Sequence, residues 1–412
     1  MSLIVQKFGG TSVANPNRIK EVAKRIIRTL EKGYDVVVVV SAAGDTTDRL
    51  ISLAYEITPS PAEREIDMLI STGEQISSAL LAMAIESLGH PAISFTGSQI
   101  EILTDDTHTK AKIVDINTER IWKHLHLGKV VVVAGFQGIS IDKDITTLGR
   151  GGSDLTAVAL AHVLKAKVCE IYTDVPGVYT ANPKIVQDAR KLDFISSEEM
   201  LELASSGAKV LQSRSVELAK KFGVLIHVRS SFTDEEGTMV KEKVKGMEEA
   251  LVTGIAEDID QAKITILDVP DRPGIAAKVF GELARESINV DMIIQSAPIR
   301  DKNDISFTIA KSDLEKSLKI MNKVKEEVGA KDVISDKNVA KVSVVGVGMR
   351  THSGVAAKMF SALASKDINI EMISTSEIKI SCIIKKDKME EAVKILHDTF
   401  ELGKTSYKDK DV

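Results

Sequence analysis

The sequence predicts an α/β protein: a doubly wound, mainly parallel sheet followed by two smaller βαββαβ modules. Three observations lead there. Val36 to Val40 is a run of five valines, as apolar as a strand covered on both faces must be. Strand-like runs of this kind alternate with helix-period stretches as far as Arg229, the pattern of a parallel sheet with helices on both faces. Beyond the charged stretch Thr233 to Glu249, the chain repeats itself at a constant offset of 80 residues, as from Gly274 to Gly354, and a fixed internal period marks a duplicated module.

The bulk properties narrow the function. At 412 residues the chain is long enough for two or more domains with their own cores. A net charge of −5 without a basic run argues against a nucleic-acid partner, and 4% aromatic content leaves little for base stacking. Cys169 and Cys382 stand far apart in apolar runs and are expected to be reduced core residues rather than a disulfide. No Cys/His cluster has zinc spacing. The N-terminus runs straight into a strand without a basic leader, and no apolar run is expected to span a bilayer. These features predict a cytoplasmic protein with no membrane partner.

The elements follow in order. Leu3 to Phe8 is a strand ending in Lys7-Phe8-Gly9-Gly10-Thr11-Ser12, and a helix starts near Pro16 with Asn15 as N-cap. Lys7 precedes the glycines without the Gly-Lys-Ser/Thr ending of a P-loop. The valine strand exits through Ser41-Ala42-Ala43-Gly44-Asp45-Thr46-Thr47 into a helix from Arg49. Glu63 to Leu88 has a long helical pattern interrupted near Ser71-Thr72-Gly73-Glu74, because glycine weakens a helix interior. Ala92 to Thr96 is a strand, Ile113 to Leu127 a helix, and Val130 to Ala134 a strand leading into Gly135. Val168 to Thr173 is the next strand, with the long exit Thr173-Asp174-Val175-Pro176-Gly177-Val178-Tyr179-Thr180-Ala181-Asn182-Pro183-Lys184. Two helices, Glu198 to Ala204 and Lys209 to Phe222, precede a strand at Leu225 to Arg229. The boundary falls near Lys241 to Met247, giving segments 1–245, 250–338 and 339–405. In the tail, Gly274, Ala276, Lys278, Phe280, Leu283, Ile288, Asn289 and Met292 recur as Gly354, Ala356, Lys358, Phe360, Leu363, Ile368, Asn369 and Met372.

Chemistry concentrates in Thr147-Leu148-Gly149-Arg150-Gly151-Gly152-Ser153-Asp154. A glycine-rich turn feeding a helix exposes backbone N–H groups at the positive end of a helix dipole, and both bind anions. Arg150 adds a planar donor fork. Asp154 beside such a site can grip an amine, orient a nucleophile, face a metal, or simply pair with Arg150. Several such turns fall at the carboxyl ends of the strands, where open α/β sheets bind ligands. Two anion sites, many hydroxyls and no Ser-His-Asp or Cys-His arrangement suit phosphoryl transfer, in which the protein mainly positions groups and neutralises charge.

The four runs Lys7-Phe8-Gly9-Gly10-Thr11-Ser12, Ser71-Thr72-Gly73-Glu74, Thr147 to Asp154 and Tyr172-Thr173-Asp174-Val175-Pro176-Gly177-Val178-Tyr179 resemble, in order, the signature runs of aspartate kinases. The repeated tail resembles the paired ACT domains of that family, and the resemblance extends to about Leu402. It implies the amino acid kinase fold followed by two ferredoxin-like ACT modules. The implied reaction moves the γ-phosphoryl group of ATP, carried with Mg²⁺ on the nucleotide phosphates, to the side-chain carboxylate of L-aspartate. That reaction opens the lysine, threonine and methionine pathway. By resemblance Lys7 stabilises the transferring phosphoryl group with N–H groups from Gly9 and Gly10. Arg150, with Gly151, Gly152 and Ser153, grips an aspartate carboxylate. Glu74 takes the amine, Ser41 and Thr47 complete the pocket, and Asp154 orients the reacting groups. Thr173, Asp174, Tyr179, Lys184 and Lys209 hold ATP. Pro176 and Asn182 depart from the family, where many relatives carry Asp.

The resemblance also implies that the tail senses threonine and lysine. Asp271, Gly274, Ile275, Ala276, Asn289, Asp291 and Gln295 would form one effector site. The second would use His352, Ser353, Gly354, Val355, Asn369, Ser376 and Glu377, with Glu377 meeting the ammonium of lysine. Such modules pair edge to edge, so a homo-oligomer through the tail is expected. Met247 would suit the start of a separate small subunit.

Overall fold

The computed structural model describes residues 2–242, 251–298 and 301–404. Met247 lies outside them. By internal packing the described residues form two compact units. One holds residues up to Val178, Lys191–Ser205 and the stretch from Lys209; the other takes Tyr179–Arg190, Ser206–Ala208 and the tail.

In the first unit β1 (Ser2–Phe8) leads into α1 (Pro16–Glu31), β2 (Tyr34–Val40), α2 (Thr46–Ile57), α3 (Glu63–Ile70) and α4 (Thr72–Glu86). Asn15 caps α1 as its sequence predicts, accepting from Arg18 N at 3.1 Å. Then come β3 (Ala92–Phe95), β4 (Ile102–Thr104), β5 (Ile113–Ile116), α5 (Glu119–Leu125) and β6 (Val130–Ala134). They are followed by β7 (Gln137–Ile139), β8 (Ile145–Thr147), α6 (Gly152–Val163) and β9 (Val168–Thr173). β10 (Phe194–Ser196), α7 (Ser197–Ser205), α8 (Ser213–Phe222), β11 (Ile226–Ser230) and β12 (Thr238–Lys241) complete it.

The main sheet runs β10-β12-β11-β9-β1-β2-β6-β3. Its pairs are parallel except β11 with β12. The five valines are 0–1% exposed, which accounts for their lack of alternation. β1 is central, with β2 on one side and β9 on the other. The chain order reverses there, so the carboxyl ends of β1, β2 and β9 frame the crevice where such sheets take ligands. A second, small sheet runs β5-β4-β7-β8.

Two sequence expectations need correction. Ile113 to Leu127 is not one helix. Ile113–Ile116 pairs antiparallel with β4, and Asn117 Oδ1 then accepts from Glu119 N at 3.0 Å and turns the chain into α5. The β-branched Ile-Val start belongs to a strand edge. The expectation that no apolar run is long enough for a bilayer also fails: Glu63–Glu86, at 24 residues, is long and apolar enough by length and composition. Half of its apolar window is buried inside the fold, and the stretch breaks at Ser71 into α3 and α4. α4 packs on α1, β3 and β6, as a core helix does.

The second unit opens with β13 (Gly254–Asp258) and β14 (Gln261–Pro270), then α9 (Ile275–Arg285), β15 (Val290–Gln295), β16 (Lys302–Ala310), α10 (Leu314–Val328) and β17 (Asp332–Asp336). It continues with β18 (Val339–Val345), α11 (Val355–Ala364), β19 (Met372–Thr375), β20 (Lys379–Lys385) and α12 (Met389–Thr399). Two four-stranded antiparallel sheets result, β15-β16-β14-β17 and β13-β18-β20-β19. Met292, Val339, Met372 and Ile383 form an apolar cluster shared by the two sheets. The repeat is structural as well as sequential: Gly274 and Gly354 cap α9 and α11 in the same left-handed conformation, φ +93° and +95°. Both cysteines are free and buried.

Leu81 on α4 is fully buried in the core formed with α1 and the valine strand. Leu81→Ala should lower the unfolding free energy by about 2–5 kcal/mol, measured as a lowered urea midpoint. An unchanged midpoint would show that α4 does not seal this core.

Candidate active site

Lys7 lies one residue before the end of β1, opposite Val39 of β2 and Ile171 of β9. Strand pairing on both sides therefore fixes its backbone. Its Nζ lies 2.7 Å from Asp154 Oδ1, with the two side chains 12% and 10% exposed. Asp154 sits in the first turn of α6, where a carboxylate also gains from the helix dipole. Asp154 thus pairs with Lys7, a partner the sequence did not suggest.

The exits of β1 and β2 interlock. Gly44 N donates to Gly10 O at 3.0 Å and Ser41 N to Phe8 O at 3.1 Å. A Cβ on Gly10 would stand 2.7 Å from Ala42 O, so only glycine permits this approach. Gly9 N–H is engaged with Tyr172 O at 3.3 Å. This bond ties the exits of β1 and β9 together. Ser41 and Thr47 are half-buried on the neighbouring exit.

Glu74 comes in from the start of α4. It is 3% exposed, and its Oε1 accepts from Ala42 N at 3.0 Å. Its Oε2 is buried without a hydrogen-bond partner among the described residues. Burial pushes its carboxyl up to about 7, against the opposing pull of the Ala42 N–H.

The glycine-rich turn is held from behind by residues that sequence reasoning missed. Gly151, at φ +73°, is the N-cap of α6, and a Cβ there would lie 2.2 Å from Cγ of Gln212. Arg214 on α8 donates to Leu148 O at 2.7 Å and Ala111 O at 3.0 Å. Arg150 is exposed between Gly149 and Gly151, while Gly152 and Ser153 are buried behind it. The fully buried Asp67 of α3 accepts from His108 Nδ1 at 2.8 Å, Thr109 N at 3.0 Å and Thr147 Oγ1, bracing the strand that leads into the turn. These partners lie 41, 42 and 80 residues from Asp67, so no local pattern marks them.

Thr173 donates to Asp174 Oδ1 at 3.0 Å at the β9 exit, and Lys209 is exposed. Tyr179 and Lys184 fall in the Tyr179–Arg190 segment of the second unit. Asn182, in that segment, donates to Glu257 Oε1 at 2.7 Å and accepts from Lys184 N at 3.0 Å. An Asp at 182 would set two carboxylates against each other, which gives this departure from the family a structural reason.

In the tail, Asp271, Gly274, Ile275, Ala276 and Gln295 line a cavity of about 200 Å³ together with Asn303. Asn303 donates to Asp271 Oδ1 at 3.2 Å, while its own buried Oδ1 is unpartnered among the described residues. Asp291 is bound to the buried Lys341 of β18. In the second copy His352 Nδ1 lies 3.0 Å from Gly348 O, and Glu377 pairs with Arg350 Nε at 3.1 Å. Val355 begins α11. Ser353, Ser376, Asn289 and Asn369 are exposed.

A mainly parallel sheet with strand-exit turns around a lysine–aspartate pair, followed by one βαββαβ module (β14 to β17) and a second four-stranded module whose edge strand, β13, comes before the first module instead of after α12 as the expected second βαββαβ unit would have it, defines an amino acid kinase domain with an ACT pair. The comparisons agree. The model described as the amino acid kinase family matches residues 2–230, and that of the ACT domain matches 267–324 and 342–400. An aspartokinase of Mycolicibacterium smegmatis is 53% identical over 408 residues, covering 98% of this chain and 97% of that one. E. coli aspartokinase III, solved in complex with aspartate and ADP, superposes with a TM-score of 0.84 at 26% identity, over 96% of this chain and 99% of that one. The same enzyme in complex with lysine and aspartate gives 0.74 at 26%, over 97% and 99%. The chain belongs to the aspartokinase family of enzymes.

The site makes a pH prediction. Glu74 shifts from 4.5 to about 7 on folding. Between these values the folded chain binds the extra proton, so this group's contribution to stability is present below pH 4.5 and lost as pH rises through about 7. Glu74→Gln should remove that decline. Urea melts of both proteins across this range would show it, and parallel pH profiles would refute the assignment.

Proposed function

We propose that this chain transfers the γ-phosphoryl group of ATP, bound as its Mg²⁺ complex, to the side-chain carboxylate of L-aspartate, giving 4-phospho-L-aspartate. This is the step that opens the lysine, threonine and methionine pathway, carried out by a cytoplasmic homo-oligomer joined through its ACT modules. The observation that carries the reading is the grouping of a pinned ammonium, a glycine-rich turn bearing Arg150 and a buried carboxylate oxygen with no partner among the described residues at the carboxyl ends of the central strands.

Lys7 neutralises charge on the phosphoryl group in flight, and Asp154 keeps its ammonium aimed. Arg150, free on its glycine-flanked turn, closes on a carboxylate of aspartate. Glu74 Oε2 takes the aspartate ammonium, which satisfies the buried oxygen and draws its pKa down. Ser41, Thr47, Gly151, Gly152 and Ser153 shape the acceptor pocket, and Gly10 supports the phosphate end. The acceptor carboxylate is already ionised at neutral pH, so the reaction needs no strong base. Thr173, Asp174 and Lys209, with Tyr179 and Lys184, hold the nucleotide. Magnesium supplies charge neutralisation on the phosphates and takes few protein ligands.

Threonine and lysine act as feedback effectors. The first-module cavity suits threonine: Asp271 meets its ammonium and the open Asn303 Oδ1 accepts a donor. Lysine is assigned to the second module, where it displaces Arg350 from Glu377. Asp291 serves this reading by holding Lys341 rather than by touching an effector.

Hydroxylamine trapping of the acyl phosphate, with ATP and L-aspartate, tests the reaction. Lys7→Ala should cost at least about a hundredfold in kcat. Arg150→Ala should cost about 2–5 kcal/mol of transition-state binding, or at least tenfold in kcat/KM. Turnover on aspartate that ignores both substitutions would remove the proposed site. For the tail, Asp271→Ala should raise the threonine concentration for half-inhibition by about ten- to a hundredfold, the loss of a hydrogen bond to a charged group. An unmoved threonine response would place that effector elsewhere.

A further inference from the structure

The catalytic reading does not use His397. This residue of α12 is fully buried. Its Nε2 lies 3.0 Å from Thr180 Oγ1, and Thr180 is itself buried and accepts from Arg190 N at 3.0 Å. Its Nδ1 is buried with no hydrogen-bond partner among the described residues. The nearest charge is Asp188 Oδ1 at 3.8 Å, too long for a hydrogen bond. Asp398 completes a trio: one ligand atom from each of Asp188, His397 and Asp398 lies within 4.8 Å of the others.

We propose that His397 Nδ1, Asp188 and Asp398 form a binding site for a divalent transition-metal cation, which clips the 179–190 segment to α12. The donor set supports this. One imidazole with two carboxylates suits Zn²⁺ or Co²⁺ better than Mg²⁺, which favours oxygen ligands alone. A metal-binding histidine normally has its second nitrogen held by an oxygen, which fixes the ring, and Thr180 holds Nε2 in this way. The trio also stands at the carbonyl end of α12, where the helix dipole favours a cation. Bond lengths near 2.1 Å require the carboxylates to draw in. Both aspartates are exposed and turn without disturbing the core. Asp188 has room because the adjoining residue is Gly403: a Cβ there would stand 2.5 Å from Asp188 Oδ2.

The test uses the full chain, dialysed against chelator and free of nucleotide. Co²⁺ should bind at one ion per chain with visible d–d absorption, and Zn²⁺ should displace it and raise the melting temperature. Asp188→Asn and Asp398→Asn change only surface carboxylates, so they keep the fold even where His397→Gln does not. Each should weaken Co²⁺ binding at least about tenfold and remove the Zn²⁺-dependent rise in melting temperature. Failure of Co²⁺ and Zn²⁺ to bind would overturn the site, and so would binding unchanged in both variants. Neither result depends on aspartate phosphorylation, so the metal site can fail while the kinase reading stands.

Discussion

The contact between Lys7 and Asp154 sets the terms for the first unit. An ammonium and a carboxylate that are both mostly withdrawn from water cannot stand alone; each needs the other at hydrogen-bond range. Keeping them at 2.7 Å demands that the end of β1 and the start of α6 stay in register. β1 is locked by parallel pairing on both sides. α6 is buried through most of its length and starts at a glycine whose positive φ lets the chain turn into it. The valine strand, the close passage of Gly10 over Ala42 and the Arg214 clamp on Leu148 hold one or the other end of this pair.

Much of this was legible because it is local. Apolar runs without alternation announce a doubly covered strand. Glycines clustered at strand exits announce turns that no side chain allows. A carboxylate in a first helical turn announces itself as well. The identity of its partner was not legible, since Lys7 and Asp154 are far apart in the chain and Arg150 stands closer. Asp67 was missed for the same reason: on a helix its spacing marks an ordinary polar position, and only the fold brings His108, Thr109 and Thr147 to it. The helical reading of 113–127 failed because a four-residue strand and a seven-residue helix together mimic one apolar period.

The segment after β9 shows a further limit. Read along the chain, Thr173 to Lys184 is one loop, and its hydroxyls and lysine look like a single set. The fold divides it after Val178: Val178 N donates to Thr238 Oγ1 at 2.8 Å, while Thr180 O accepts from Ile255 N at 2.8 Å. Ala181 and Val186 belong to the apolar core of the second sheet's module. Asn182 is then best understood from its neighbour Glu257 rather than from any nucleotide.

The tail shows how duplicated modules come to differ. Both copies keep the left-handed glycine cap, because each needs the same sharp entry into its first helix. Around that shared turn the polar groups diverge. The first copy leaves a cavity in which Asn303 Oδ1 has no partner among the described residues, a cost that a bound donor would remove. In the second copy His352 and Glu377 are engaged with Gly348 and Arg350. A ligand entering the first site gains an unmet hydrogen bond, whereas one entering the second must break an ion pair before it makes its own. On the proposed reading, a small polar effector is favoured at the first site, and only an effector bringing a positive charge of its own would replace what Arg350 gives Glu377 at the second. The same turn, repeated 80 residues apart, thus comes to stand among different unpaired and paired groups.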